Sequence, residues 1–192
     1  NNEFTEYPSY QKLYNEAKEN MSYREFDKAK EKFQKIVDHD KYNLEAVSNL
    51  GELYYRSGQF EKSLSIVEDG LKIDTYHPSL NYIAGINYKA LNDNLNSKES
   101  LGWAARSIKY RSNAYSQIAD IFLKEKKFSR AIEYAKKSLE YNTKNIPSLE
   151  IIAISNRYLK KNIEHNKAIQ KLEYLDPINH LISFEKYINE PN

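Results

Sequence analysis

Residues 44–77 read LEAVSNLGELYYRSGQFEKSLSIVEDGLKIDTYH, and this stretch decides the fold. In its first half Val47, Leu50, Gly51 and Tyr54 fall at the i, i+3, i+4, i+7 spacing of one helix face. Gly58 then interrupts the pattern, as a glycine of positive φ just past a helix end would. The spacing resumes through Phe60, Leu64, Val67 and Leu71, and Asp74-Thr75 closes it. Two helices of three to four turns around a short turn make a helical hairpin.

The same pattern recurs every 34 residues without insertion or deletion, in blocks beginning at Tyr10, Leu44, Pro78, Ser112 and Ile146. The eighth position of each block is small: Ala17, Gly51, Gly85, Ala119, Ala153. The twentieth reads Ala29, Ser63, Ser97, Ala131 and His165, the twenty-fourth Phe33, Val67, Leu101, Ala135 and Ile169. Small residues at these places let the two helices of a hairpin approach to 8–10 Å. A fixed period of this length predicts an all-helical stacked array, in which a single hairpin cannot bury both faces and stability comes from its neighbours.

These repeats resemble the tetratricopeptide repeat family over residues 10–179. The second and fourth blocks carry the resemblance best, with L-G-x-x-Y at 50–54 followed by Phe60 and Ser63, and I-A-x-x-F at 118–122 followed by Phe128 and Ala131. Pro177 sits where that family often ends a repeat. The resemblance implies an all-α, right-handed superhelical solenoid of five helix-turn-helix repeats, residues 10–43, 44–77, 78–111, 112–145 and 146–179. A short lead-in, residues 1–9 with Phe4 and Tyr7, precedes them. Residues 180–192 form a capping helix and tail, with Leu181, Phe184 and Ile188 spaced for one apolar face. The third block replaces the turn glycine with Asn92, which tolerates the left-handed conformation. Asn20, Asn156 and His165 mark the first and fifth blocks as atypical, as expected of end repeats.

Composition supports a folded chain. Hydrophobic residues make up 40% and charged residues 29%, which places the chain among folding sequences. Glycine and proline number five each, too few for a sheet protein with many tight turns. There is no cysteine, so thiolate metal sites and disulfides are excluded. No apolar run reaches the roughly 18 residues of a membrane span. The net charge of +2 points to no particular partner. It is unevenly spread, however: residues 1–77 hold 11 basic and 15 acidic side chains, residues 78–192 hold 18 and 12.

Nothing in the sequence forms a catalytic constellation. His39, His77, His165 and His180 are scattered, without metal-ligand spacing. There is no phosphate loop and no nucleophile elbow. No metal or cofactor is expected, and the chain reads as a non-enzyme. Residues 106–137 hold nine basic and three acidic side chains among Tyr110, Tyr115, Phe122 and Phe128. Because Phe122 and Phe128 fall at repeat-core positions, nucleic-acid binding is disfavoured.

The resemblance implies that first helices line a concave face that takes an extended peptide or a partner helix. Tyr14, Tyr55, Tyr82 and Tyr158 fall at such positions, and tyrosine is enriched at binding surfaces. The predicted groove comprises Tyr14, Lys18, Asn49, Glu52, Tyr55, Arg56, Tyr82, Ile86, Lys89, Asn113, Gln117, Asp120, Lys124 and Arg157. The carboxylate clamp of tetratricopeptide co-chaperones is not reproduced. The corresponding positions read Tyr14, Lys18, Asn49, Ser79 and Ile83, of which only Asn49 matches. The expected function is a noncatalytic scaffold with a protein or peptide partner. The alternative is a structural module of a larger enzyme, because residues 175–187, LDPINHLISFEKY, resemble repeat segments of long bacterial proteins with carbohydrate-enzyme-like domains.

Overall fold

A computed structural model describes residues 10–189. The lead-in with Phe4 and Tyr7 lies outside the described residues. Eleven α-helices and no strands occur among them. The chain divides between Asp93 and Asn94 into two compact units.

In the first unit α1 (Tyr10–Ser22) pairs with α2 (Phe26–His39), α3 (Leu44–Arg56) pairs with α4 (Phe60–Ile73), and α5 (Pro78–Ala90) packs on α3 and α4. Ala17 and Ala29 are fully buried where α1 meets α2, beneath Phe33 and Ile36. At the equivalent place in the next hairpin the Ser63 hydroxyl donates to the Gly51 carbonyl at 2.6 Å. A Cβ on Gly51 would stand 2.6 Å from Val67 Cγ2, so this position requires glycine for close approach. Asn87 from α5 extends the contact, donating to Ser63 Oγ at 2.7 Å.

In the second unit α6 (Asn94–Ala104) packs on α7 (Ile108–Lys124), α7 pairs with α8 (Phe128–Tyr141), and α9 (Ile146–Tyr158) pairs with α10 (Asn162–Leu175). Ala119, Ala131, Ala135 and Ala153 share one buried cluster with Leu149 and Leu172. His165 is too large for its small-residue position, yet it is buried there because Nδ1 bonds the Ala153 carbonyl at 2.9 Å. Its ring nitrogen reaches the backbone where a serine hydroxyl does in the second hairpin.

Two turn types repeat at 34-residue intervals. Within hairpins the left-handed residue is Arg24, Gly58, Asn92, Lys126 or Lys160, with φ between 56° and 73°. Glycine is therefore used at one of five places, and the others carry the strain of a side chain at positive φ. Between hairpins, residues 40–43, 74–77 and 142–145 form a side-chain-bonded turn. Asp40, Asp74 and Asn142 accept the amide two residues on, and Asn43, His77 and Asn145 cap the next helix. Asn179 likewise accepts the amide of Leu181. Residues 108–111 depart from this pattern, because Ile108 and Arg111 replace the turn-forming pair. There α6 stops at Ala104 and α7 starts early, at Ile108. Arg111 holds the shortened link by donating to the carbonyls of Ala105 and Arg106 at 2.8 and 2.9 Å.

The last helix, α11 (His180–Asn189), packs on α10 through a different face from the predicted one. Ile182 and Glu185 are buried, while Phe184 and Ile188 remain 48% and 45% exposed. Leu181 packs partly against the core. The reason is electrostatic: Glu185 turns inward to meet Arg157 at 2.8 Å and His165 at 3.3 Å. That rotation points Phe184 and Ile188 away from the core. Apolar spacing alone carries no sign of a buried carboxylate.

Candidate binding surface

In the first unit the first helices meet through polar side chains. Tyr14 donates its hydroxyl to Glu45 Oε2 at 3.2 Å and accepts from Asn49 Nδ2 at 3.3 Å. Asn49 also donates to the Glu45 carbonyl at 2.7 Å, and its Oδ1 receives Lys18 Nζ at 3.1 Å. Three predicted residues thus converge on α1 and α3, with Glu45 as a fourth member. Burial, then the Glu45 carboxylate, push the Tyr14 hydroxyl above its ordinary range. The Tyr14 ring stands edge-on to Phe33 at 5.6 Å. Its rotamer is therefore fixed from both ends.

Further along α3, Glu52 and Arg56 form an ion pair at 2.8 Å, one turn apart. Tyr55 is half-buried and leans on Phe60 at 5.5 Å. Its helix position predicts a side chain clear of repeat packing, but it contributes to the hairpin's own contact. Ser48 and Ser79 share a short hydrogen bond that ties α3 to α5. On α5, Tyr82 and Lys89 are half-buried and engaged in contacts. Ile86 is buried, at 9% exposure, and offers little surface to a partner.

In the second unit Asn113, Gln117, Asp120 and Lys124 share one side of α7, at i, i+4, i+7 and i+11. Asp120 and Lys124 pair at 3.1 Å. Arg157 on α9 is taken up by Glu185 of α11, and its guanidinium lies 5.2 Å from the Phe184 ring. Tyr158 is 61% exposed and stacks on Phe128 at 4.7 Å. The network members that sequence reading missed, Glu45, Ser48, Ser79 and Glu185, find partners some 28 to 31 positions away. Only the superposition of successive hairpins brings such residues together.

Among the described residues no group of three or more His, Cys, Asp or Glu side chains could hold a metal ion. No described helix is long and apolar enough to cross a membrane. On the first unit a cleft of about 400 Å³ opens between the ends of α2 and α4, walled by Val37, Tyr42, Val47, Ile66 and Ile73.

A family profile described as Tetratricopeptide repeat matches residues 21–79. No curated protein matches the chain. Among solved structures, PilF of Pseudomonas aeruginosa superposes with a TM-score of 0.80 at 17% identity, over 94% of this chain and 82% of its own. YrrB, a tetratricopeptide protein described as having an unusual peptide-binding site, gives 0.71 at 15% identity, over 94% and 92%. A MamA fragment from Desulfovibrio magneticus gives 0.71 at 13% identity, over 94% and 97%. The profile identifies tetratricopeptide repeat sequence within residues 21–79, and the superpositions show the same fold of stacked helical hairpins over most of the chain.

Proposed function

We propose that this tetratricopeptide-repeat chain is a noncatalytic protein-interaction scaffold that holds a peptide segment or a neighbouring domain against its first helices. The observation that carries the reading is the network of Tyr14, Lys18, Glu45 and Asn49 across α1 and α3. Its side chains are held by one another before any partner arrives, which lowers the ordering cost of binding. Tyrosine, amide and charged groups side by side suit a peptide with aromatic or aliphatic anchors and backbone hydrogen bonds. PilF, YrrB and MamA support the repeat architecture, and the peptide-binding site of YrrB supports peptide recognition as one use of it.

The test uses a partner captured with the full-length protein and then purified. Tyr14→Ala or Lys18→Glu should weaken its binding at least tenfold, equivalent to about 1.4 kcal/mol or more. Lys62→Glu on the outward side of α4 should not. Sensitivity to Lys62 with indifference to Tyr14 and Lys18 would overturn the reading.

A second reading, a repeat module serving further domains of a larger protein, draws on the exposed Phe184, Tyr187 and Ile188 of α11. These side chains would suit a domain packed on that helix. The full-length reading frame tests it, and a frame holding nothing beyond these repeats would overturn it.

A further inference from the structure

The departure at residues 108–111 opens a second cleft, of about 370 Å³, within the second unit. It is lined by Gly102, Ala105, Arg106, Arg111, Tyr115 and Tyr141 and contains no acidic side chain. Arg106 lies over Trp103 at 5.2 Å, Lys109 over Tyr110 at 5.2 Å, and Arg111 over Tyr141 at 4.8 Å. Aromatic faces hold these cations in place without neutralising them. None of the three is paired with a carboxylate among the described residues. Elsewhere in the same unit Lys98 and Lys127 share Glu125, and Arg130 and Lys137 share Glu133. Two arginines, Arg106 and Arg111, thus stand at one cleft without a carboxylate partner. Two of Arg111's five N–H groups are used by carbonyls, and the rest are available to a ligand.

We propose that this cleft is a second binding site, separate from the first-helix face, and that it takes an acidic segment of a partner protein. A glutamate or aspartate carboxylate pairs with Arg106 and Arg111, whose planar guanidinium groups match its geometry. A neighbouring apolar side chain rests on Tyr115 and Tyr141. The volume suits one or two side chains and is within the range of small ligand sites. Nucleic acid fits less well. Single-strand binding relies on open ring faces for bases, and here Trp103, Tyr110 and Tyr141 each have a face under a cation.

The test is fluorescence anisotropy on the whole chain. The probe is a fluorescein-labelled octapeptide alternating glutamate and phenylalanine. Controls alternate lysine and phenylalanine, or glutamate and serine, and a labelled eight-nucleotide oligothymidylate is run beside them. The glutamate–phenylalanine peptide should bind best. The variant Arg106→Glu should weaken it at least tenfold with an unchanged melting curve. If that variant fails to fold, Arg106→Gln should weaken binding several-fold. Tyr14→Ala should leave binding unchanged, which separates this site from the first-helix face. Absence of binding, indifference to both Arg106 variants, or tighter binding of the oligonucleotide would overturn the proposal. So would equal binding of the glutamate–serine peptide together with its displacement by millimolar phosphate, which would reduce the cleft to a site for simple anions.

Discussion

Gly51→Ala tests the close approach that sets hairpin geometry, and with it the placement of the first helices. Gly51 lies mid-helix in α3, where alanine is intrinsically favoured by roughly 0.5–1 kcal/mol. The added Cβ would meet Val67 Cγ2 at 2.6 Å, Ile83 Cγ2 at 3.6 Å and Ser63 Oγ at 3.8 Å. Ordinary carbon contacts lie at about 3.5–4.0 Å, so α4 would have to withdraw by about 1 Å. Val67 cannot swing aside, being fully buried and restricted at χ1 as a β-branched residue in a helix. Withdrawal also stretches the 2.6 Å bond from Ser63 to the Gly51 carbonyl, worth about 1 kcal/mol. Overpacking adds roughly 1–3 kcal/mol, for a net loss of about 1–3 kcal/mol. At about 2–4 °C per kcal/mol the melting temperature should fall by roughly 2–12 °C, read by circular dichroism. Gly58→Ala is the companion measurement. Its Cβ would meet nothing within 4 Å, so its loss, about 1–2 kcal/mol, arises from φ of +73° alone. A Gly51→Ala protein that melts at or above the parent would refute the packing argument.

Ala119→Leu should cost roughly 1–3 kcal/mol in a thermal melt, because the fully buried Ala119 shares one core cluster with Ala131, Ala135 and Ala153. Ile182→Ala should release α11, raising its amide hydrogen exchange, since truncating a buried isoleucine costs about 2–5 kcal/mol; Phe184→Ala should change that exchange little, and the reverse ranking would restore the face that apolar spacing predicts. Glu125 has its carboxyl held below the usual range, first by hydrogen bonds from Lys127 and Lys98. A depressed folded value stabilises above the unfolded value of about 4.3 and is lost as pH falls through the folded value. The stability gap between the parent and Glu125→Gln should therefore be full at pH 7 and should shrink below about pH 4; a gap that widens in acid would contradict the assignment.

The 34-residue period determined the helical hairpins by itself, except at the joint where α7 starts at Ile108 instead of Ser112. Helix periodicity, a left-handed turn residue and paired small positions are local or short-range signals, so residues 44–77 were legible without coordinates. Gly58 and Asn92 show this best, because glycine and asparagine tolerate the left-handed turn at φ of 73° and 63°, whereas Arg24, Lys126 and Lys160 hold the same turn without announcing it. The predicted groove residues were legible only as helix positions. Whether a side chain there is presented, paired or buried depends on the next hairpin, some 30 residues away. Tertiary structure alone joined Tyr14, Lys18 and Asn49 through Glu45, buried Ile86, and set Tyr55 against Phe60. It also turned α11 by placing Glu185 between Arg157 and His165, overriding an apolar spacing that pointed to Phe184 and Ile188. An ion pair that buries one carboxylate is a relation between distant residues and leaves no periodic mark in the chain. The basic cleft belongs to the same class. Its residues lie in the basic stretch at 106–137, but the cleft exists because Ile108 and Arg111 cannot build the turn that the other joints share.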